Sequence, residues 1–186
     1  MIQLAQVGDV LKELSSLTDF VIIGDTVLDV TLGRKNVESD IDVFLTSISV
    51  FTDEDVIDDF SQRHGWDLGK TPIDTPRFLV PIADDQLQID LYENIQDFFV
   101  PPIVIESSTE KKIGDFSAKI ILLEDYILLK ANAFREEDER ELKEIVKMVG
   151  ERKIVINKEI LLEHVEHFEE NSKSIKERLN SIGIKF

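Results

Sequence analysis

Residues 20–45 read FVIIGDTVLDVTLGRKNVESDIDVFL and contain two hydrophobic segments separated by a glycine turn and a polar loop. The first segment, Phe20–Ile23, is a short run rich in β-branched residues that stops at Gly24, which predicts a buried strand followed by a turn. The second segment, Asp40–Leu45, alternates polar and apolar residues, which predicts a strand with one face in the core. Both segments are typical of an α/β sheet.

The alternation in the second segment places Asp40 and Asp42 on the same face of the strand. Its register is well specified, because a slip of one residue would bury both acids. Two adjacent carboxylates repel each other unless a cation lies between them, and hard divalent cations prefer oxygen ligands. The pair therefore predicts a magnesium site. The alternative is that such a pair arose by chance in an acidic chain.

The neighbouring segments are predicted to form helices and further strands. Residues 3–17 and 53–64 carry apolar side chains at helical spacing, whereas residues 78–82 and 87–92 alternate and are joined by a turn at 83–86. After two prolines, residues 103–106 are predicted to form another short strand. The pattern then becomes helical. We expect a sheet domain over residues 1–122 and a helical C-terminal region over residues 123–186 packed on it.

A third carboxylate, Asp90, lies on the polar face of the alternating run 87–92. Three carboxylates from two strands can converge on one or two metal ions, the arrangement used for in-line phosphoryl displacement. The sequence therefore predicts Asp40, Asp42 and Asp90 as metal ligands and catalytic residues, with Mg²⁺ or Mn²⁺ as the cofactor.

Other metal or nucleophile chemistry is not indicated. The chain has no cysteine, which excludes a disulfide framework and a thiolate zinc site. His164 and His167 lie three residues apart on a helical segment, but glutamates surround them. We therefore expect a solvated helix face there and no metal site.

These features resemble the signature of the nucleotidyltransferase superfamily, whose members share the DNA-polymerase-β-type palm. That signature is a hydrophobic strand, a Gly-Gly or Gly-Ser turn, a loop, an SDID motif and a later carboxylate on a strand. Here Gly24 begins the turn, Ser39–Val43 match the motif, and Asp90 takes the third carboxylate position. Residues 122–145, LLEDYILLKANAFREEDERELKEI, are similar to the helical segment that follows the palm in minimal and toxin-like members.

The resemblance implies an α/β (α+β) fold: a nucleotidyltransferase-like mixed sheet with flanking helices and a helical C-terminal extension. It also implies that Asp40 and Asp42 hold the metal ions that bridge a nucleoside triphosphate. Asp90 would hold metal and help to activate the attacking hydroxyl group. The nucleotide-binding residues that the resemblance implies are Gly24, Asp25, Thr26, Ser39 and Lys130. For Ser39 the alternative is shaping the strand start, and for Lys130 an ion pair with an acid such as Glu124 or Asp125.

Asp25 departs from the family pattern, because it replaces the second small residue of the turn. A carboxylate at this position repels a triphosphate. Three interpretations follow: Asp25 is turned away and Thr26 contacts the phosphate, Asp25 is an additional metal ligand, or the site has lost ordinary nucleotide binding.

The charge of the chain bears on its partners. Its 38 acidic and 21 basic residues give a net charge of −17. A protein that binds a duplex needs a basic face, so free nucleic acid is not expected as a partner. A metal ion or a basic protein partner fits better, and the acidic surface also favours solubility. No apolar run is long enough to span a membrane, and no signal peptide is apparent, so we expect a cytoplasmic protein.

The function predicted from the sequence is divalent-metal-dependent transfer of a nucleoside monophosphate from an NTP to a hydroxyl group of a small molecule or a protein. Two alternatives remain open. One is a catalytically impaired nucleotidyltransferase-like module with a binding or regulatory role. The other is a toxin-like member that a partner protein restrains.

Overall fold

The structure is a computed structural model and describes residues 2–37, 40–95 and 98–185. The chain divides into two compact units. The first unit comprises residues 1–99 and 108–120, and the second comprises residues 100–107 and 121–186. Within the described residues, no helix combines the length and the apolar composition that a membrane crossing needs.

The first unit contains nine strands and three helices in its described part. The strands are β1 (Ile2–Gln3), β2 (Phe20–Ile22), β3 (Asn36–Val37), β4 (Asp40–Leu45), β5 (Asp67–Lys70), β6 (Pro76–Ile82), β7 (Asp85–Tyr92), β8 (Thr109–Ile113) and β9 (Phe116–Ile120). The helices are α1 (Leu4–Leu14), α2 (Thr26–Thr31) and α3 (Glu54–His64).

Seven of these strands form one mixed sheet in the order β5-β6-β7-β4-β2-β9-β8. The pairs β4–β7 and β2–β9 are parallel, and the other neighbouring pairs are antiparallel. Strands β1 and β3 form a separate two-stranded sheet. This mixed sheet with flanking helices confirms the predicted fold class.

Strand β4 shows the alternation that the sequence predicted. The side chains of Ile41 and Val43 are completely buried, whereas Asp40 is exposed and Asp42 is half-buried. Phe44 lies on the same face as Asp40 and Asp42 by alternation, but its side chain is buried. Leu45, on the opposite face, is buried as well, so both faces of the strand are covered at this end.

The second unit is helical in its described part. It contains α4 (Pro102–Glu106), α5 (Leu123–Ala133), α6 (Glu136–Gly150), α7 (Lys158–His164), a 3₁₀ segment (Val165–Asn171) and α8 (Ser172–Ile182). Helix α4 corrects the prediction of a strand at residues 103–106. Pro102 occupies the first turn of this helix, where its missing N–H group costs nothing and its fixed φ angle favours helical geometry.

A buried acid–histidine pair joins α5 to α7, which corrects the prediction of a solvated face at His164. The Nδ1 atom of His164 lies 2.7 Å from Oδ1 of Asp125, and both side chains are buried. The other carboxylate oxygen of Asp125 is buried and has no hydrogen-bond partner among the described residues. Burial raises the pKa of Asp125 to about 6, although the hydrogen bond with His164 opposes this shift. His167 is exposed, as predicted.

Candidate active site

The two neighbouring parallel strands β4 and β7 bring the predicted carboxylates together in sequence register. Asp42 pairs with Asp90 across the two strands, and Asp40 pairs with Gln88. Since alternate residues of a strand share a face, Asp40 and Asp42 lie on the same side of the sheet as Asp90. The backbone therefore places the three acids on one face of the sheet, as the sequence suggested.

Gly24 lies directly against Asp42. A Cβ atom added at Gly24 would lie 1.9 Å from Oδ2 and 2.6 Å from Cγ of Asp42, so only glycine fits here. The turn is also tied to strand β4, because the N–H group of Ile23 donates to the carbonyl of Asp42 over 3.0 Å. The first residue of the predicted phosphate-binding turn thus makes room for the carboxylate of the predicted metal ligand.

The two residues that follow Gly24 differ in exposure. The side chain of Asp25 is exposed, and its carbonyl accepts the N–H groups of Leu28 and Asp29 at the start of α2. Thr26 is 1% exposed, and its hydroxyl group is buried without a hydrogen-bond partner in the described part of the chain. An unsatisfied buried hydroxyl group in the turn is uncommon in a folded protein and requires an explanation.

Asp90 is buried and is held by a guanidinium group. Its carboxylate accepts hydrogen bonds from Nε of Arg77 at 2.5 Å and from Nη2 at 2.6 Å, and a third from the Tyr92 hydroxyl group at 3.2 Å. The side-chain hydrogen bond with Asp90 raises the pKa of Arg77. Burial, together with the negative charges of Asp42 and Asp90, raises the pKa of Tyr92, so its hydroxyl group stays protonated and able to donate.

Arg77 was not among the predicted site residues. It faces Asp90 because β6 and β7 are joined by a two-residue turn that pairs Ile82 with Asp85. The predicted four-residue turn would have paired Ile82 with Leu87 and placed Leu79 opposite Asp90. The length of the turn was therefore the signal that could have revealed Arg77.

The three carboxylates differ in how well they suit a divalent cation. Asp40 and Asp42 offer carboxylate oxygens on one face of β4, and Mg²⁺ is commonly held by one or two carboxylates together with substrate phosphates. Asp90 differs from this pair, because its oxygens already accept hydrogen bonds from Arg77 and Tyr92. Residues 2–37, 40–95 and 98–185 contain no cluster of three or more His, Asp or Glu side chains arranged to hold a metal ion.

Two of the predicted nucleotide-binding residues are not described next to these carboxylates. Ser39 lies outside the described residues. Lys130 belongs to the second unit, where its ammonium group lies 2.8 Å from Oε2 of Glu141 and 3.4 Å from Oδ1 of Asp138. These two acids are among its partners, and the ammonium group also lies 5.4 Å from the centroid of the Tyr126 ring.

Comparison with known proteins identifies the family. Residues 3–181 match the family described as nucleotidyl transferase of unknown function (DUF2204). No curated protein sequence gives a significant match. The crystal structure of an antigenic nucleotidyltransferase-like protein from Paracoccidioides brasiliensis is similar, with 15% identity, a TM-score of 0.58, and coverage of 94% of this chain and 92% of that chain. At this identity, the likeness supports the fold.

Two structures of the antibiotic-resistance factor ANT(2″)-Ia are more distant. The solution structure has 13% identity, a TM-score of 0.45, and coverage of 96% of this chain and 85% of that chain. The crystal structure with adenylyl-2″-tobramycin has 15% identity, a TM-score of 0.44, and coverage of 97% of this chain and 89% of that chain. Since the family model spans nearly the whole sequence, this chain belongs to that nucleotidyl transferase family.

Proposed function

We propose that this member of the nucleotidyl transferase family transfers a nucleoside monophosphate from an NTP to a hydroxyl group of a small molecule or a protein. The observation that carries the proposal is the packing of the Asp42 carboxylate against Gly24, beside Asp40 on the same strand. It joins the predicted metal-binding pair to the predicted phosphate-binding turn. Such a junction serves a triphosphate that contacts a metal ion and backbone N–H groups together.

In this proposal Asp40 and Asp42 hold one Mg²⁺ or Mn²⁺ ion. A bound divalent ion neutralises negative charge that develops on the transferred phosphoryl group. The turn from Gly24 to Thr26 contacts phosphate oxygens, and the unpartnered Thr26 hydroxyl group supports this role, because a small shift would let it donate. Asp25 stays exposed beside this turn.

The reaction exchanges one phosphoester bond for another. The acceptor oxygen forms a bond to the α-phosphorus, the bond from that phosphorus to the leaving oxygen breaks, and pyrophosphate departs. The proton of the acceptor hydroxyl group goes to Asp90. An ionised carboxylate has about four acceptor positions, and Arg77 and Tyr92 use three of them. One position is left for the acceptor.

The test is calorimetric binding of the four NTPs with and without Mg²⁺. Wild-type protein should bind at least one NTP only when Mg²⁺ is present, and Asp42→Asn should lose this binding. The variant should melt at the same or a higher temperature, because the repulsion between neighbouring carboxylates is relieved. Asp67→Asn is the matched control, since Asp67 is an exposed aspartate on β5 of the same sheet. Wild-type protein that binds no NTP with any divalent metal would contradict the proposal.

One observation favours a second candidate function, a binding or regulatory module with impaired catalysis. The Asp90 carboxylate is engaged by Arg77 on both oxygens, which limits its use as a base. Metal-dependent NTP binding without any release of pyrophosphate in the presence of small-molecule and protein acceptors would support this second function over the first.

A further inference from the structure

We propose that Arg77 is the permanent counter-ion of Asp90, and that the site therefore takes one divalent cation, at Asp40 and Asp42, and has no second cation at Asp90. This inference rests on the proposed function. It assigns to Arg77 the role of a positioning residue that holds Asp90 and fills the place of a metal ion.

The first argument is geometric. Arg77 binds Asp90 in the bidentate way, with one nitrogen on each carboxylate oxygen, and Tyr92 adds a third donor. This is the strongest form of a carboxylate–guanidinium contact, because the planar fork of arginine matches the two oxygens. A metal ion at Asp90 would be left with the one remaining acceptor position of the carboxylate, next to the guanidinium group.

The second argument concerns burial. The Asp90 side chain is 4% exposed and that of Arg77 is 25% exposed, whereas Asp40 is exposed and Asp42 is half-buried. Removing Arg77 from Asp90 would leave a buried carboxylate without its compensating charge, which is strongly unfavourable.

The third argument is the charge of the site. Asp40, Asp42 and Asp90 carry three negative charges when ionised, and Arg77 carries one positive charge. One divalent cation then makes this set of four side chains neutral before a nucleotide binds. A second divalent cation would leave an excess of positive charge next to the Arg77 guanidinium group, which repels it.

The fourth argument is the origin of the contact. Arg77 and Asp90 are paired residues of the antiparallel strands β6 and β7, and the short turn fixes their register. Side chains directly opposite each other on such strands lie within about 5.5 Å at Cβ. The ion pair is thus a property of the hairpin and does not depend on a loop that can move away.

The experiment measures binding of Mn²⁺ alone by the electron paramagnetic resonance signal of the free ion. Wild-type protein should bind one Mn²⁺ per chain. Asp42→Asn should weaken this binding by about tenfold or more, whereas Asp90→Asn should still bind one Mn²⁺ per chain, because Asp90 is not a ligand. Arg77→Gln should gain a second Mn²⁺ site, because the substitution removes the positive charge and leaves the buried Asp90 carboxylate without its counter-ion. Arg63→Gln, at an exposed position on α3, is the control and should match wild type.

The outcomes separate this inference from the proposed function. Two Mn²⁺ ions per wild-type chain, or loss of the site in Asp90→Asn, would overturn the inference and leave the proposed function standing. A single site that persists in Arg77→Gln would also overturn it. A wild-type chain that binds no Mn²⁺ would overturn both proposals. If Arg77→Gln does not fold, Asp90→Asn still decides the question, because asparagine keeps the shape of the side chain.

Discussion

Replacing Gly24 with alanine tests how tightly the turn and the Asp42 carboxylate are packed. The new Cβ atom would lie 1.9 Å from Oδ2, 2.6 Å from Cγ and 2.7 Å from Cβ of Asp42. A rotation of the Asp42 side chain removes the first two clashes. The third remains, because Cβ is fixed to the backbone of β4, so strand and turn must move apart.

The expected cost follows from this geometry. Overpacking of a well-packed region typically costs about 1–3 kcal/mol. The backbone of Gly24 is not in the left-handed region, so steric contact with Asp42 is the source of the loss. For a chain of this length, about 1 kcal/mol corresponds to a shift of roughly 2–4 °C in Tm. The assay is urea unfolding followed by circular dichroism, together with Mn²⁺ binding, which Gly24→Ala should also weaken.

A double-mutant cycle with Asp42→Gly isolates the contact. In the Asp42→Gly background all three clashing atoms are absent, so Gly24→Ala should cost at least about 1 kcal/mol less than in wild type. Gly69→Ala on β5 is the matched control, because the nearest atoms to its new Cβ lie at 3.8 Å. Equal losses from Gly24→Ala in both backgrounds would refute the reasoning.

Two further predictions concern other parts of the chain. His164→Ala should lower the free energy of unfolding by about 3 kcal/mol at pH 8, because it leaves the buried Asp125 carboxylate unpaired. Burial raises the pKa of Asp125 to about 6, so below this pH the carboxyl group is neutral and the loss of stability in His164→Ala should be smaller. His167→Ala, at an exposed position, should lose little stability when thermal unfolding is measured on either side of this pH. Ala83→Gly should stabilise the protein by about 0.5–1 kcal/mol, because Ala83 has a φ angle of 52° in the β6–β7 turn, which glycine adopts without strain. Asp84→Gly, at a position without a positive φ angle, should not stabilise in the same urea titration; a gain there equal to that of Ala83→Gly would contradict the explanation.

Much of the sheet was predictable because its strands carry the alternation that burial of one face requires. Strand β4 is an example, with Ile41 and Val43 buried and Asp40 exposed. Strand β8 was not predicted, because it lies at the edge of the sheet and four of its five residues are exposed, so its sequence TEKKI has no apolar alternation. Edge strands are held by backbone hydrogen bonds to one neighbour, which leave no pattern in the side chains.

The candidate site, like the sheet, was predictable only in part. Asp40, Asp42 and Asp90 could be assigned to one sheet face from local alternation and the family resemblance, and the structure places β4 beside β7. Arg77 was missed, because its position opposite Asp90 depends on a turn of two residues. The residues of this turn, Ala83 and Asp84, do not include the glycine or asparagine that usually marks a turn of this length.

The sequence by itself determined the fold class, the family resemblance and the three carboxylates, because local periodicity decides which face of a strand is polar. The tertiary structure alone decided what surrounds them. It placed the Asp42 carboxylate in the space left by Gly24 and put Arg77 on Asp90. It also buried Asp125 with His164, although the flanking glutamates indicated a solvated face. The physical reason is that the register between strands and the burial between helices depend on chain segments far apart in sequence. A local sequence pattern therefore does not specify which charged side chains form ion pairs.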